Sequence, residues 1–443
     1  MGSGSIGTIS LMTQTGEFER KYFISNPDIT FFKSVYRKHT NFSKYLLRKE
    51  NNVETGERKQ YTIQTGSDDL LSKVYLENKY KFTPSGSHVS WTVYANLGSN
   101  IIDDLSEDSL SIDIDSNKGI FKSNGLFQEV KGELDNQMSL TTSASYTHAP
   151  GLEIDQNNII SCKNGSHYNY TTLSGGVRGI TLYSDGVRAG SSIDTELFYT
   201  IPEFSFMKDY GLALPLLSLR NADITFNVKY QEFTRISDAA KSGVEVSLVS
   251  NFIQELIQLD TAEKSRFLTS QLTYLTENIS QTQITDATQN ITTTFKLCKY
   301  LFLVGAPDTT PDSWNASQSL TTLQPVKFSG LNISLDSNLL YPGEGKVPAS
   351  IFTKLNINKY FIGCGRDLGG AHSKSLGQSD TIAMVPFSIE PLNFTQPSGC
   401  VSILGNSNRI SLELRDKGPT LMLFAINYGI LQISDGKAQS QYS

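Results

Sequence analysis

The chain has 443 residues, of which 38% are hydrophobic and 19% charged, and a net charge of −6. That length exceeds one hydrophobic core, so two domains of about 200 residues each are expected. The charge balance gives no global case for nucleic-acid binding. Abundant Thr, Ser, Asn and Gly, with 10% aromatics, favour an all-β chain with many turns.

The four cysteines, Cys162, Cys298, Cys364 and Cys400, contain no C-x-x-C pair. This argues against a zinc ribbon or a disulfide scaffold and for buried free thiols. No apolar run approaches the roughly 20 residues that cross a bilayer, and the start lacks a basic segment followed by an apolar one. Sequons at Asn41, Asn164, Asn169, Asn278, Asn290, Asn315, Asn332 and Asn393 are chance matches in so Asn-, Ser- and Thr-rich a chain.

Residues 1–25 read as a flexible arm. From Asn26 to Ser43 runs NPDITFFKSVYRKHTNFS. Asn26 is a helix cap, Pro27 suits the first helical position, and Asp28 suits the positive end of the dipole. Phe31, Phe32, Val35 and Tyr36 form one stripe, so a short amphipathic helix or turn is expected, with the stripe locked onto the core. Runs at 60–64, 71–82 and 89–97 read as strands. From Asp103 to Asp194 the chain is polar, with Asn-Gly at 124 and 164 and Asp-Gly at 185, so long solvent-facing loops with hairpin turns and a few strands are expected.

In Gly211–Tyr230, Pro215 breaks any continuous strand; a turn through Leu217 then leads to a strand with Ile224, Phe226 and Val228 on one face. The apolar run 247–259 reads as a strand, and Asp260 caps a short helix with Glu263 three residues on. Strands are expected again at 273–284, 292–304, 326–335 and 360–364.

Little in the chain carries catalytic chemistry. Gly2, Gly4 and Gly7 fit G-x-G-x-x-G without the preceding strand that a phosphate loop needs. Asp113, Asp115 and Asn117 imitate a calcium loop, but the glycine falls at 119 and Asn124 occupies the last ligand position, so a polar hairpin is expected. The five histidines include no H-x-x-x-H pair, and no nucleophile elbow or P-loop occurs. No catalytic, cofactor or metal residue is assigned. Lys33, Lys38, Lys44, Arg48 and Lys49, interleaved with aromatics, are a candidate contact to phosphate or anionic lipid beside the plainer reading of a solvated face.

Four ordered segments carry a family resemblance. Asn26–Ser43, with Asn26, Pro27, Phe31, Phe32, Tyr36 and Arg37, resembles the N-terminal signature of the major capsid proteins of nucleocytoplasmic large double-stranded DNA viruses. The ALPLLSL segment around Pro215 resembles that family's A-L-P-L-I-A-L stretch. Leu259, Asp260, Glu263 and Phe267 match its L-D-T-x-E-R-R-R-F motif, with Lys264 and Ser265 in place of arginines. Finally, 385–399 and 423–443, with Asn427 and Tyr428, resemble its closing segments, although Gln432 replaces an arginine.

The resemblance implies an all-β chain of two consecutive eight-stranded antiparallel jelly-roll sandwiches with long loops and a few short helices. Its expected parts are an arm at 1–25, a first roll at 26–268 and a second at 269–443. It implies a homotrimer tiling an icosahedral virion shell, made in the host cytoplasm or a virus factory. Minor capsid and penton proteins would be partners, together with an internal membrane or its proteins, and no sequence-specific nucleic acid. The basic residues above would face the particle interior, while loops at 103–194 and 307–323 would face outward. The competing class is a β-sandwich carbohydrate-binding or attachment protein, which would need a ligand pocket.

Overall fold

The computed structural model describes residues 38–50, 56–86, 89–93, 101–130, 200–236, 241–284, 297–305, 382–402 and 421–441, apart from Ser67 and a few other single positions. It also describes the remaining strands given below, the turn at 351–356, and the single positions Phe32, Ser34, Tyr36 and Tyr360. Two compact units result, Met1–Asn41 and Phe42–Ser443.

In the first unit Phe32 lies in a turn, and Ser34, Tyr36 and 38–41 have no regular structure. Phe32 is 99% and Tyr36 90% exposed, while Phe31 and Val35, the rest of the expected stripe, lie outside the described residues.

All sheets belong to the second unit. Its first half contains β1 (Phe42–Lys49), β2 (Asn52–Val53), β3 (Arg58–Ile63), β4 (Leu70–Pro84), β5 (Ser90–Val93), β6 (Leu110–Ile114), β7 (Asn117–Ser123) and β8 (Glu153–Ile154). There follow β9 (Ile159–Ser161), β10 (His167–Leu173), β11 (Gly176–Tyr183), β12 (Ile193–Asp194), β13 (Phe198–Thr200), β14 (Ile224–Lys229) and β15 (Val244–Leu259). Helix α1 (Thr261–Thr269) leads to β16 (Leu272–Ile284), β17 (Thr288–Asn290), β18 (Leu297–Gly305), β19 (Phe328–Leu335), β20 (Asn338–Tyr341) and β21 (Val347–Pro348). The chain ends with β22 (Ile382–Pro386), β23 (Val401–Ser402), β24 (Arg409–Leu414), β25 (Leu421–Ser434) and β26 (Lys437–Gln441).

The pairing repeats. In the first half one sheet runs β1-β15-β4-β12 and another β3-β14-β6-β7; in the second they run β16-β25-β18-β22 and β17-β24-β19-β20. Numbering the principal strands of each half from one to eight gives the same two orders, 1-8-3-6 and 2-7-4-5. Every pairing is antiparallel, and no described pairing joins a strand before α1 to one after it. This is the double jelly roll. Short extra strands, and a five-stranded sheet ordered β5-β11-β10-β9-β8, are added to that plan.

Alternation along the strands builds the first core. Ile224, Phe226 and Val228 on β14 are fully buried, as their spacing predicts, and face Leu248, Phe252 and Leu256 of β15 in one cluster. The Phe252 ring lies 5.0 Å from that of Tyr61 and 5.1 Å from that of Phe226, which stitches the two sheets together. Each such pair adds about 0.5–1.5 kcal/mol beyond its buried area. A buried polar chain also crosses this core. The Tyr61 and Tyr230 hydroxyls are 3.1 Å apart, Tyr230 donates to Ser250 Oγ at 2.8 Å, and Ser250 donates to Asn78 Oδ1 at 2.7 Å.

The halves share their cores. Leu431, Ile433 and Ala438, from the C-terminal hairpin β25–β26, belong to the first core. Leu126, Phe127 and Val130, from the helical turn after β7, pack with Tyr300, Phe302 and Phe424 of the second half. Asp435 (φ 53°) and Gly436 (φ 81°) close that hairpin, and the left-handed pair matches the twist of a two-residue connection. Asn117 Nδ2 donates to Ala438 O at 2.9 Å and ties the hairpin to the first half.

Several expectations need correction. Within 103–194 two of the few expected strands, β6 and β7, complete the sheet β3-β14-β6-β7 and are more deeply buried than a solvent-facing loop region implies, with Leu110, Ile112, Ile114 and Phe121 in the core. Asn124-Gly125 makes no hairpin turn; Asn124 Oδ1 accepts from Phe127 N at 2.8 Å and caps the helical turn. Cys298 is buried as expected, but Cys400 is exposed. Cys162, Cys364, the Gly pairs at 164 and 185, and 307–323 lie outside the described residues, as does the strand expected at 360–364 except for Tyr360.

Candidate assembly surface and buried charge cluster

In both halves the first principal strand, β1 or β16, is the outer member of its sheet. The two edges differ in cover. On β16, Gln281 N donates to Glu107 Oε1 at 2.9 Å, and Glu277 receives Lys208 Nζ at 2.6 Å; both partners come from the first half. Lys208 lies in the connection from β13 to β14, whose Ser205, Phe206, Leu212 and Pro215 line a small apolar gap against Tyr274, Leu275 and Thr276. That gap converges no carboxylate, histidine or lysine.

On β1, Phe42 and Leu46 are 57% and 63% exposed and lie on one face with Lys44 and Arg48. Lys44 Nζ sits 3.7 Å from the centroid of the half-exposed Tyr210 ring and 3.9 Å from Glu255. Arg48 forks onto Glu77 Oε1 from Nε at 3.0 Å and from an Nη at 2.6 Å, and it also reaches Glu50 at 2.7 Å. Lys49 donates to Thr62 O at 2.7 Å, and the Tyr45 hydroxyl donates to Asp68. Burial and the neighbouring Asp69 raise the Asp68 carboxyl above its ordinary range. Three members of the sequence-derived basic set, Lys44, Arg48 and Lys49, are therefore engaged within the chain. Lys38 is exposed, and Lys33 lies outside the described residues.

Sequence reasoning missed a buried ion cluster. Lys299 is 1% exposed and donates to Glu277 Oε1 and to Asn393 O, each at 2.5 Å. Glu277 thus lies between Lys299 and Lys208. Burial raises its carboxyl pKa, but the two ammonium groups reverse this and hold it below the usual range. The Tyr428 ring lies 5.4 Å from Lys299 Nζ, and burial pushes its hydroxyl up to about 12. Lys299 occupies a register shift in β18, between Cys298 and Tyr300, which re-aims its side chain. A lysine inside the apolar run LCKYLFLV was the available signal, since a buried cation requires a partner.

The cluster holds the connection after β22. Phe387 N donates to Lys299 O at 3.0 Å, Ile389 N to Ser398 O at 3.2 Å, and Asn393 Oδ1 accepts from Thr395 N and Gln396 N. From this braced loop Ile389 projects, 79% exposed, beside Glu390.

The remaining signature residues are placed as follows. Pro215 is buried at the turn after the Leu71–Leu214 bridge. Asp260 Oδ1 accepts from Glu263 N at 2.8 Å and caps α1, while Glu263 pairs with Arg266. Leu259 and Phe267 pack on Leu70, Ala213 and Ile257. Asn427 and Tyr428 are buried on β25. Asn26, Pro27, Phe31 and Arg37 lie outside the described residues. The Asn278 sequon is buried in β16, whereas that of Asn393 sits in the loop turn. Among the described residues no helix is long and apolar enough to cross a membrane.

Two jelly rolls with one repeated sheet order, whose described ionisable groups brace loops and edges, place the chain in the double jelly-roll class. Residues 30–264 match the family described as "Major capsid protein N-terminus", so the chain belongs to the major capsid protein family. The major capsid protein of Pyramimonas orientalis virus is 24% identical over 437 residues, covering 95% of this chain and 96% of that protein. Capsid protein 1 of Acanthamoeba polyphaga mimivirus is 28% identical over 294 residues, 62% of this chain and 44% of that protein. Among solved structures, a chain of the PBCV-1 virus capsid superposes with a TM-score of 0.59 at 18% identity, covering 94% of this chain and 100% of that one. The Faustovirus major capsid protein gives 0.57 at 11% identity, with 96% and 97% covered. The relatives are capsid proteins of nucleocytoplasmic large DNA viruses, and the family's role is structural, in the virion shell, not enzymatic.

Proposed function

We propose that three copies of this chain form a pseudo-hexagonal capsomer and that these capsomers tile an icosahedral shell. The observation that supports this reading is the repeat of one sheet order, 1-8-3-6 over 2-7-4-5, in both halves of the chain. Three chains with two similar lobes each supply six lobes around a threefold axis, which suits a hexagonal lattice position. In this reading the boundary between the rolls falls at 268/269, near the end of α1, and the lack of any described strand pairing across α1 supports it.

In this reading the insertion between β7 and β12, and 307–323, face outward. Lys38, with Lys33, is directed to the particle interior, where minor capsid and penton proteins and an internal membrane or its proteins are the partners. Light scattering on the purified protein tests the core of the proposal: a stable species of three 48.9 kDa chains is expected. A stable monomer at high concentration overturns it. Binding to anionic vesicles at low salt tests the inner-face assignment separately.

A further inference from the structure

The internal repeat says what should cover the β1 edge. Within one chain, the connection between the sixth and seventh principal strands of the first roll packs onto the edge strand of the second. It places Lys208 on Glu277 and closes Phe206 and Leu212 over Tyr274 and Leu275. The equivalent connection of the second roll, Phe387–Cys400, carries Ile389 and Glu390 outward. The equivalent edge strand of the first roll, β1, presents Phe42 and Leu46 with Lys44, beside Tyr210. Lys73 Nζ also lies 5.7 Å from that ring. An exposed isoleucine beside a carboxylate, and an exposed apolar strip beside two ammonium groups, thus stand at positions that the repeat makes partners.

We propose that the Phe387–Cys400 connection of one copy seats on the β1 face of a second copy, Ile389 entering the apolar strip of Phe42, Leu46 and Tyr210 and Glu390 facing Lys44. The contact repeats, between molecules, the packing that already joins the two rolls within one. It is heterologous, second roll to first roll, and such a contact closes into a ring when its rotation is threefold. The bracing of this connection by Lys299 and Glu277 gives it a fixed shape, so little ordering entropy is lost on docking. Glu390 Oε2 accepts from Asn393 Nδ2 at 2.9 Å, which holds the carboxylate on the loop and leaves it capacity for a cation. This inference rests on the trimer reading above.

A photo-cross-linker in place of Leu46 in the full chain tests it. The expected result is a product of twice the chain mass whose joined peptide contains Ile389. Leu46→Asp and Ile389→Asp, both at exposed positions, should each weaken association about tenfold or more while leaving the circular dichroism of the chain unchanged. A trimer whose cross-link maps to any other peptide, or that tolerates both substitutions, overturns the contact and leaves the trimer standing. A wild-type chain that stays monomeric overturns both.

Discussion

Replacing Glu277 by Gln isolates the buried cluster. The Glu277 side chain is 8% exposed, with Lys299 Nζ at 2.5 Å and Lys208 Nζ at 2.6 Å, and the Lys299 side chain is 1% exposed. The amide removes a carboxylate that compensates two ammonium groups, one of them cut off from water. Losing one partner of a buried pair costs about 3–5 kcal/mol, because the uncompensated charge stays buried. Urea denaturation at neutral pH and fixed protein concentration should show that loss. Lys299→Met in the Glu277→Gln background should recover part of it, since the orphaned cation is then replaced by an apolar chain of similar volume. Acid also probes the cluster. The folded Glu277 carboxyl binds its proton at lower pH than the unfolded one, so its contribution is present above the unfolded value of about 4.3 and lost as pH falls through the folded one. Glu277→Gln should flatten that acid limb. A loss within the roughly 0–1 kcal/mol of a surface ion pair, with no recovery in the double variant, refutes the account.

Phe252→Ala removes a fully buried ring stacked on both Tyr61 and Phe226, and should cost about 3–5 kcal/mol in the same urea experiment. Tyr274 and Tyr428 are each pushed up to about 12, chiefly by burial, so phenolate absorbance should show them ionising late. Because these folded values are raised, the stability they contribute is complete below the ordinary tyrosine pKa of about 10 and is lost as pH rises toward 12. Deleting residues 437–443 removes β26 and uncovers Ile433. Amide exchange should then quicken in β7 and β14 of the first roll as well as in β25; protection confined to normal values in the first roll would show that the shared core carries no load.

Where periodicity and local chemistry agreed, the fold was legible in the sequence. Ile224, Phe226 and Val228 alternate and are buried together, and Asp260 caps the helix that its spacing to Glu263 announces. The places and deep burial of β6 and β7 were not legible because Asp113, Lys118 and Lys122 interrupt their apolar residues. Asp113 is buried with Gly119 N and Asn227 Nδ2 donating to it and Lys118 Nζ 3.1 Å away, and the Asn227 partner is brought in only by the pairing of β14 with β6. Lys299 was hidden for the same reason: Glu277 and Lys208 meet it across three separate segments. The edge contacts of Lys44, Arg48 and Lys49 depend on strand register, which no local run of sequence specifies.

The C-terminal hairpin also sets an order in time. Leu431, Ile433 and Ala438 complete a hydrophobic core whose other residues begin at Tyr61, so that core lacks three of its buried members until the chain has been read as far as Ala438. During synthesis the first roll is therefore an unfinished object, with apolar surface waiting for the hairpin, and it is most vulnerable to wrong partners in that interval. A prematurely terminated chain cannot close that core. Subunits lacking β25 and β26 therefore carry an open first core, so folding of the first roll itself reports whether those strands have been made.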